Sequence, residues 1–120
     1  MAGQVGWIMR ERMDAVLRSL GAQIPANATP AQAWVAFAMA CRGKDCSPVL
    51  AQLKTHVVTA TKLDEAGKAT ISTQAAATGT YYLFAQVRTP SGALVWDVPT
   101  NFSAGDNSVT LNDKNAELIH

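Results

Sequence analysis

The nine residues from Gly79 to Val87, GTYYLFAQV, decide how this chain is built. Read with a period of two, Tyr81, Leu83 and Ala85 point one way and Tyr82 and Phe84 the other. A strand with apolar side chains on both sides is covered on both sides. An opposing sheet supplies one cover. The other must come from elsewhere, and Trp34 and Phe37, in a helix-patterned N-terminal half, are the available material. The paired tyrosines therefore read as part of a shared central strand rather than a recognition patch. Only Tyr82, whose hydroxyl would reach the rim, keeps a claim to function.

Upstream of Lys54 the apolar spacing is helical. Met9, Met13, Val16, Leu17 and Leu20 recur at steps of three and four, and Gly21 follows as a stop, which predicts a first helix over about residues 9–20. The second start is better marked. Thr29 stands as N-cap, Pro30 in the first turn and Gln32 at the capping-box position. Trp34, Phe37, Ala38 and Cys41 then share one face, and Gly43 ends the helix. A short third helix is expected with Ser47 as cap and Pro48 as its first residue, turning Leu50 and Leu53 inward.

Downstream the period becomes two. Val57, Thr59, Thr61 and Leu63 alternate with Val58, Ala60 and Lys62, and the turn residues Asp64 to Gly67 return the chain into KATIS as a hairpin partner, Ala69 and Ile71 on one face. AAATG (75–79) reads as a loop, TPSG and SAGDN as turns, and ALVWDVP and SVTLN as the last strands. Five strands joined by short turns predict an antiparallel sandwich built as a meander. The fold class expected is α+β, one domain over 1–120, with residues 1–54 helical and 55–120 a β-sandwich on which two or three helices pack. Five strands are few for a sandwich closing on its own core. Either the helices cover one sheet face, or further strands lie upstream of residue 1.

A chain of 120 residues, 48% of them apolar, can bury roughly two thirds of the surface its unfolded form exposes. Charged residues make up 16%, with ten Lys and Arg against nine Asp and Glu, so no concentrated basic face is available for nucleic acid or anionic membrane. AWVAFAMAC is too short to span a bilayer and runs into Arg42 and Lys44, so no membrane insertion is expected. MAGQVGWIMRERMD has neither a basic start nor a long apolar centre. The abrupt run from MAG into a structured pattern reads as a start inside a longer protein.

From Val57 to Val87 the chain resembles the carboxypeptidase regulatory-like module, a transthyretin-like (prealbumin-like) β-sandwich. The resemblance is carried by Thr61, Asp64, Gly67 and Lys68 in the first turn, and by Gly79, Tyr81 or Tyr82, and Leu83 at the start of the long strand. It covers about a quarter of the chain. The opening strands of such a module are replaced here by the helical segment, with VGWIMR as a remnant of one of them and the helices inserted after it. QAAATGT also lacks the proline that commonly precedes the glycine. The resemblance implies a non-catalytic accessory module of a secreted, periplasmic or surface protein, one that stabilises, spaces or binds.

The candidate sites are few. Cys41, at the end of the second helix, and Cys46, just before the third, are close enough in sequence for a disulfide pinning the turn between them; two reduced thiols are the alternative. A bond there favours an extracytoplasmic location, whether periplasmic, secreted or cell-surface. His56, read in a strand, and the terminal His120 lack metal-ligand spacing. No nucleophile stands with a base, so no catalytic residue, metal or cofactor is expected. Asp64, Asp106 and Asp113 read as turn residues, and Glu11 and Asp14 as an exposed helix face. In LVWDVP, Leu94, Trp96 and Val98 share one face and Val95 and Asp97 the other. Trp96 reads first as core. Were its face open, Trp96 with Tyr82 would make a stacking platform for a sugar or peptide, with Asp97 beyond it at an edge. The same strand offers an edge for a partner's strand. The expected role is contact with a protein partner or with other domains of the same chain, with carbohydrate or peptide binding as the alternative.

Overall fold

Gly79–Val87 lies within an eleven-residue strand, Gly79–Thr89, at the middle of the large sheet. The computed structural model describes residues 3–73 and 78–119. In chain order its elements are β1 (Val5–Met9), α1 (Met13–Ser19), α2 (Pro30–Ala40), α3 (Ser47–Lys54), β2 (Val57–Lys62), β3 (Lys68–Thr73), β4 (Gly79–Thr89), β5 (Gly92–Phe102), β6 (Gly105–Thr110) and β7 (Glu117–Ile119). Five strands form one antiparallel sheet in the order β2-β1-β4-β5-β7, and β3 pairs with β6 in a second. The fold is α+β and sandwich-like. The expected loop through Ala75–Ala77 lies outside the described residues, as does His120.

The alternation in β4 divides the core in two. Tyr81, Leu83 and Ala85 join Ile8, Trp96 and Phe102, and the second sheet closes over them with Ala69, Ile71 and Val109. Tyr81 stacks on Phe102 with ring centres 5.2 Å apart. Phe84 faces the helices: Trp34 sits edge-on to it at 5.1 Å, with Phe37 5.8 Å beyond, so the second cover is the one the sequence pointed to. A Leu- or Phe-sized side chain removed from water on either face is worth about 1.5–3 kcal/mol, and both faces of β4 collect that gain.

Helix α2 forms where its caps predict. The Thr29 hydroxyl accepts the Gln32 N–H at 3.1 Å and the Gln32 side chain accepts the Thr29 N–H at 3.1 Å. The same hydroxyl donates to Glu117 Oε2 at 2.9 Å, fastening the helix start to β7. Helix α3 begins at Ser47 with Cys46 as its cap residue, one position earlier than expected. Cys41 and Cys46 are disulfide-bonded, their Cα atoms 5.7 Å apart.

Four expectations are corrected. The first helix does not begin at residue 9: Val5–Met9 is a strand lying between β2 and β4, and the helix starts at Met13. Met9 and Met13 both belong to the helix-side core, so a spacing of four arose from two elements meeting over one core rather than from one helix. The segment 1–54 is therefore helical only after its opening strand. Second, the strands are not a meander. Asp64 does make a turn, its Oδ1 accepting the N–H groups of Ala66 and Lys68 at 2.9 and 2.8 Å, and Gly67 takes φ +80°. Yet the two arms part. Leu63 is bonded through both backbone groups to Gly3 and Gln4, while the Gly67 carbonyl accepts from Leu111 beside the second sheet. Third, Asp14 is buried rather than exposed, held between Arg12 Nε at 3.2 Å and Arg18 Nη1 at 3.4 Å. Fourth, Asp106 lies in β6 opposite Ser72 rather than in a turn, since the last long strand starts at Gly105, and β7 adds a strand beyond it.

Candidate functional site

The face of the large sheet under the helices gathers most of the polar features that packing alone does not account for. β5 sets Asp97 opposite Phe84 on this face, beside Val95. Helix α1 has no cap from its own flank, because the Arg12 side chain makes none. Asp97 Oδ2 supplies one from 84 positions away, accepting the Met13 N–H at 3.1 Å. Its other oxygen, Oδ1, is buried without a hydrogen-bond partner among the described residues. Burial raises the Asp97 pKa from 3.8 to about 6 and the Asp14 charge adds to the rise, while the Met13 N–H and Arg12 oppose it. Asp97 thus binds a helix to a strand and titrates near neutrality.

Trp96 and Tyr82 lie on opposite faces. Trp96 pairs with Ala85 between the two sheets, 2% exposed, and its indole N–H donates to the Asn112 carbonyl at 2.8 Å. Tyr82 is half-buried on the helix side, opposite Met9 and Pro99. The platform that pairs these two rings is not assembled, because neighbouring positions across β4 and β5 share a face only at even parity. Asp97 shares Tyr82's face and lies beneath α1 rather than at an edge.

Residues not singled out in the sequence shape this face. Trp7 of β1 stands 6.4 Å from Trp34 and 6.2 Å from Phe84. The signal was present in VGWIM, where Trp7 and Met9 alternate with Gly6 and Ile8. The Trp34 indole N–H donates to Gln86 Oε1 at 2.8 Å. An open cleft lies on each side of this bond. One, of about 330 Å³, is lined by Trp7, Trp34, Phe84, Gln4 and Gln86. The other, of about 380 Å³, runs between α2 and the β4–β5 turn, with Met39, Arg42 and Arg88 around it.

A third cleft, of about 430 Å³, sits where α3 hands over to β2. His56 lies there in the turn after α3 rather than in a strand, its N–H bonded to the Leu53 carbonyl at 2.9 Å. Its Nδ1 is 3.9 Å from Glu11 Oε1. Among the described residues no three of His, Cys, Asp and Glu stand together as a metal site, and no helix is long and apolar enough to cross a membrane.

The sheet margins differ. On one side β7 covers β5 only over Ala93–Val95, and the exposed Pro99 interrupts what is left. On the other, β2 pairs only with β1 among the described residues. Val58 is 45% exposed there, and Thr59, Ala60 and Lys62 are exposed beside it. The pairing slips at its start, where Met9 meets Val57 and Ile8 meets Thr59, leaving Val58 as the extra residue of a bulge. Set against known protein families, curated proteins and solved structures, the chain shows no match.

Proposed function

We propose that the chain is a non-catalytic accessory module of an extracytoplasmic protein, transthyretin-like in type, whose work is protein–protein contact through strand addition at β2. The observation that carries this reading is the open edge of β2. It is six residues long, rich in Val and Thr, free of proline and, among the described residues, paired on one side only. Proteins usually blunt such edges with proline, charge or short length. The opposite margin has Pro99 and a three-residue β7, whereas β2 has only its bulge and Lys62. An extended partner segment would gain main-chain hydrogen bonds along it.

Support for the module type comes from the Asp64–Lys68 turn with Gly67 at φ +80°, from Gly79 at φ +136° leading into β4, and from an opening strand set before the helices. The Cys41–Cys46 bond supports the location, because such bonds persist in oxidising compartments. A second reading, carbohydrate binding, is favoured by the cleft that Trp7 and Trp34 line together with two glutamines, Gln4 and Gln86. It moves the aromatic role from Trp96 to these two rings.

The test is selection of a random octapeptide library on the folded chain and on a variant carrying Val58→Lys and Ala60→Lys, both exposed positions. Peptides rich in β-branched residues should be retained by the parent and lost by the variant. Equal retention by both proteins, with unchanged thermal unfolding, would remove β2 from the proposal.

A further inference from the structure

We infer that the cleft between α2 and the β4–β5 turn takes an acidic peptide segment of a protein partner, an apolar side chain entering the cleft and a neighbouring carboxylate meeting its arginines. The inference rests on the reading of the chain as a contact module and gives it a second surface, separate from the β2 edge.

The floor is apolar: Trp34, Ala38 and Ile119 line it, and Met39 stands at it 57% exposed, the most exposed large apolar side chain among the described residues. A flexible thioether on an open surface adapts to the side chain it meets. At about 380 Å³ the space falls within the usual range of ligand pockets and suits one large side chain and its flanking backbone. Arg42, just beyond the end of α2, and Arg88, near the end of β4, line the same cleft.

Charge decides the occupant. Both arginines are exposed, and neither guanidinium has a hydrogen-bond or ion-pair partner among the described residues. Arg12 and Arg18, by contrast, are both committed to Asp14. The acid on the adjoining strand, Glu117, is engaged by the Thr29 hydroxyl. Two uncommitted guanidiniums beside an apolar floor match a segment in which a bulky apolar residue adjoins carboxylates, since the planar fork of arginine binds a carboxylate through paired hydrogen bonds. A basic segment would meet like charge.

The test uses a blocked tetrapeptide containing one leucine and two glutamates, and a counterpart with glutamines in place of the glutamates. Each is titrated into the ¹⁵N-labelled chain while the indole N–H signal of Trp34, which lines the cleft, is followed. The acidic peptide is expected to shift that signal saturably, and the neutral one to bind about fivefold to tenfold more weakly, as befits two exposed charge pairs. Arg42→Gln with Arg88→Gln should remove the difference between the peptides, and added salt should narrow it in the parent chain. Met39→Glu, at an exposed position, should abolish binding of the acidic peptide without altering thermal unfolding. The inference is overturned if the two peptides bind equally to the parent chain, if the arginine variant keeps the preference, or if Trp34 does not respond. In any of these cases the octapeptide selection at β2 still stands or falls by its own result.

Discussion

Replacing Asp97 by asparagine should stabilise this protein at neutral pH, although Asp97 caps a helix. In the folded state the carboxyl has a pKa of about 6 against 3.8 when unperturbed, mainly because burial disfavours its charge. A pKa difference of about two corresponds to about 3 kcal/mol between the protonation states. Because the folded value is the higher one, the folded protein holds the proton more tightly. The associated stability is fully present below pH 3.8 and is lost as pH rises through about 6. At pH 7.5 the ionised wild type therefore bears the whole cost. Asparagine keeps an oxygen to accept the Met13 N–H but places an amide donor where Oδ1 now lies buried and unpartnered, a loss of about 1 kcal/mol. The net expectation is about 2 kcal/mol of added stability at pH 7.5, or a Tm rise of about 8 °C in a domain of this size. By pH 4 the wild type regains about 2 kcal/mol and the two proteins converge. Urea unfolding of both proteins across pH 4 to 7.5 measures this, the subtraction cancelling other titrating groups. A variant that is less stable by the same amount at both ends of the range would refute the reasoning, for the charge of Asp97 would then carry no penalty.

Two further outcomes follow from packing and covalent structure. Gly6 faces Leu83, and a Cβ there would come within 2.8 Å of Leu83 Cδ1. Leu83 is fully buried, so Gly6→Val should cost about 1–3 kcal/mol in chemical denaturation, whereas Gly6→Val combined with Leu83→Ala should recover part of that loss. Opening the Cys41–Cys46 ring by Cys41→Ser and Cys46→Ser should cost about 2 kcal/mol through the freed loop, with the circular dichroism of the folded state retained. A variant that unfolds outright would show that the bond does more than close a short loop.

The parts of the fold legible in the sequence are those governed by near neighbours. The alternation of Tyr81 to Ala85 gave both faces of β4, and Thr29, Pro30 and Gln32 marked the start of α2, because caps and strand parity act within a few residues. The bond between Cys41 and Cys46 was readable for the same reason. What escaped depends on distant partners. VGWIM was divided between two readings, a remnant strand from the family resemblance and a helix from the spacing that Met9 shares with Met13, and its position between β2 and β4 decides for the strand. The Asp64 turn has the chemistry of a hairpin, and nothing local says that its arms belong to different sheets. Parity set Asp97 apart from Trp96 correctly, yet its burial beneath α1 is a contact across 84 positions. The clefts beside Trp34 likewise exist only once α2 lies across β4 and β5.

The placement of β1 has a consequence for how the molecule assembles. Its two neighbours in the sheet, β2 and β4, lie roughly 50 and 70 positions further along the chain, so each pairing must close a long loop before it gains any stabilisation. The β4–β5 hairpin, by contrast, is joined through Pro90 and Ser91 alone and forms at small entropic cost. Loop-closure entropy therefore favours the hairpin forming ahead of either pairing of β1. Until β2 and β4 take their places beside it, Trp7, Ile8 and Met9 form an apolar strand with open edges, and folding depends on keeping those three residues from other company.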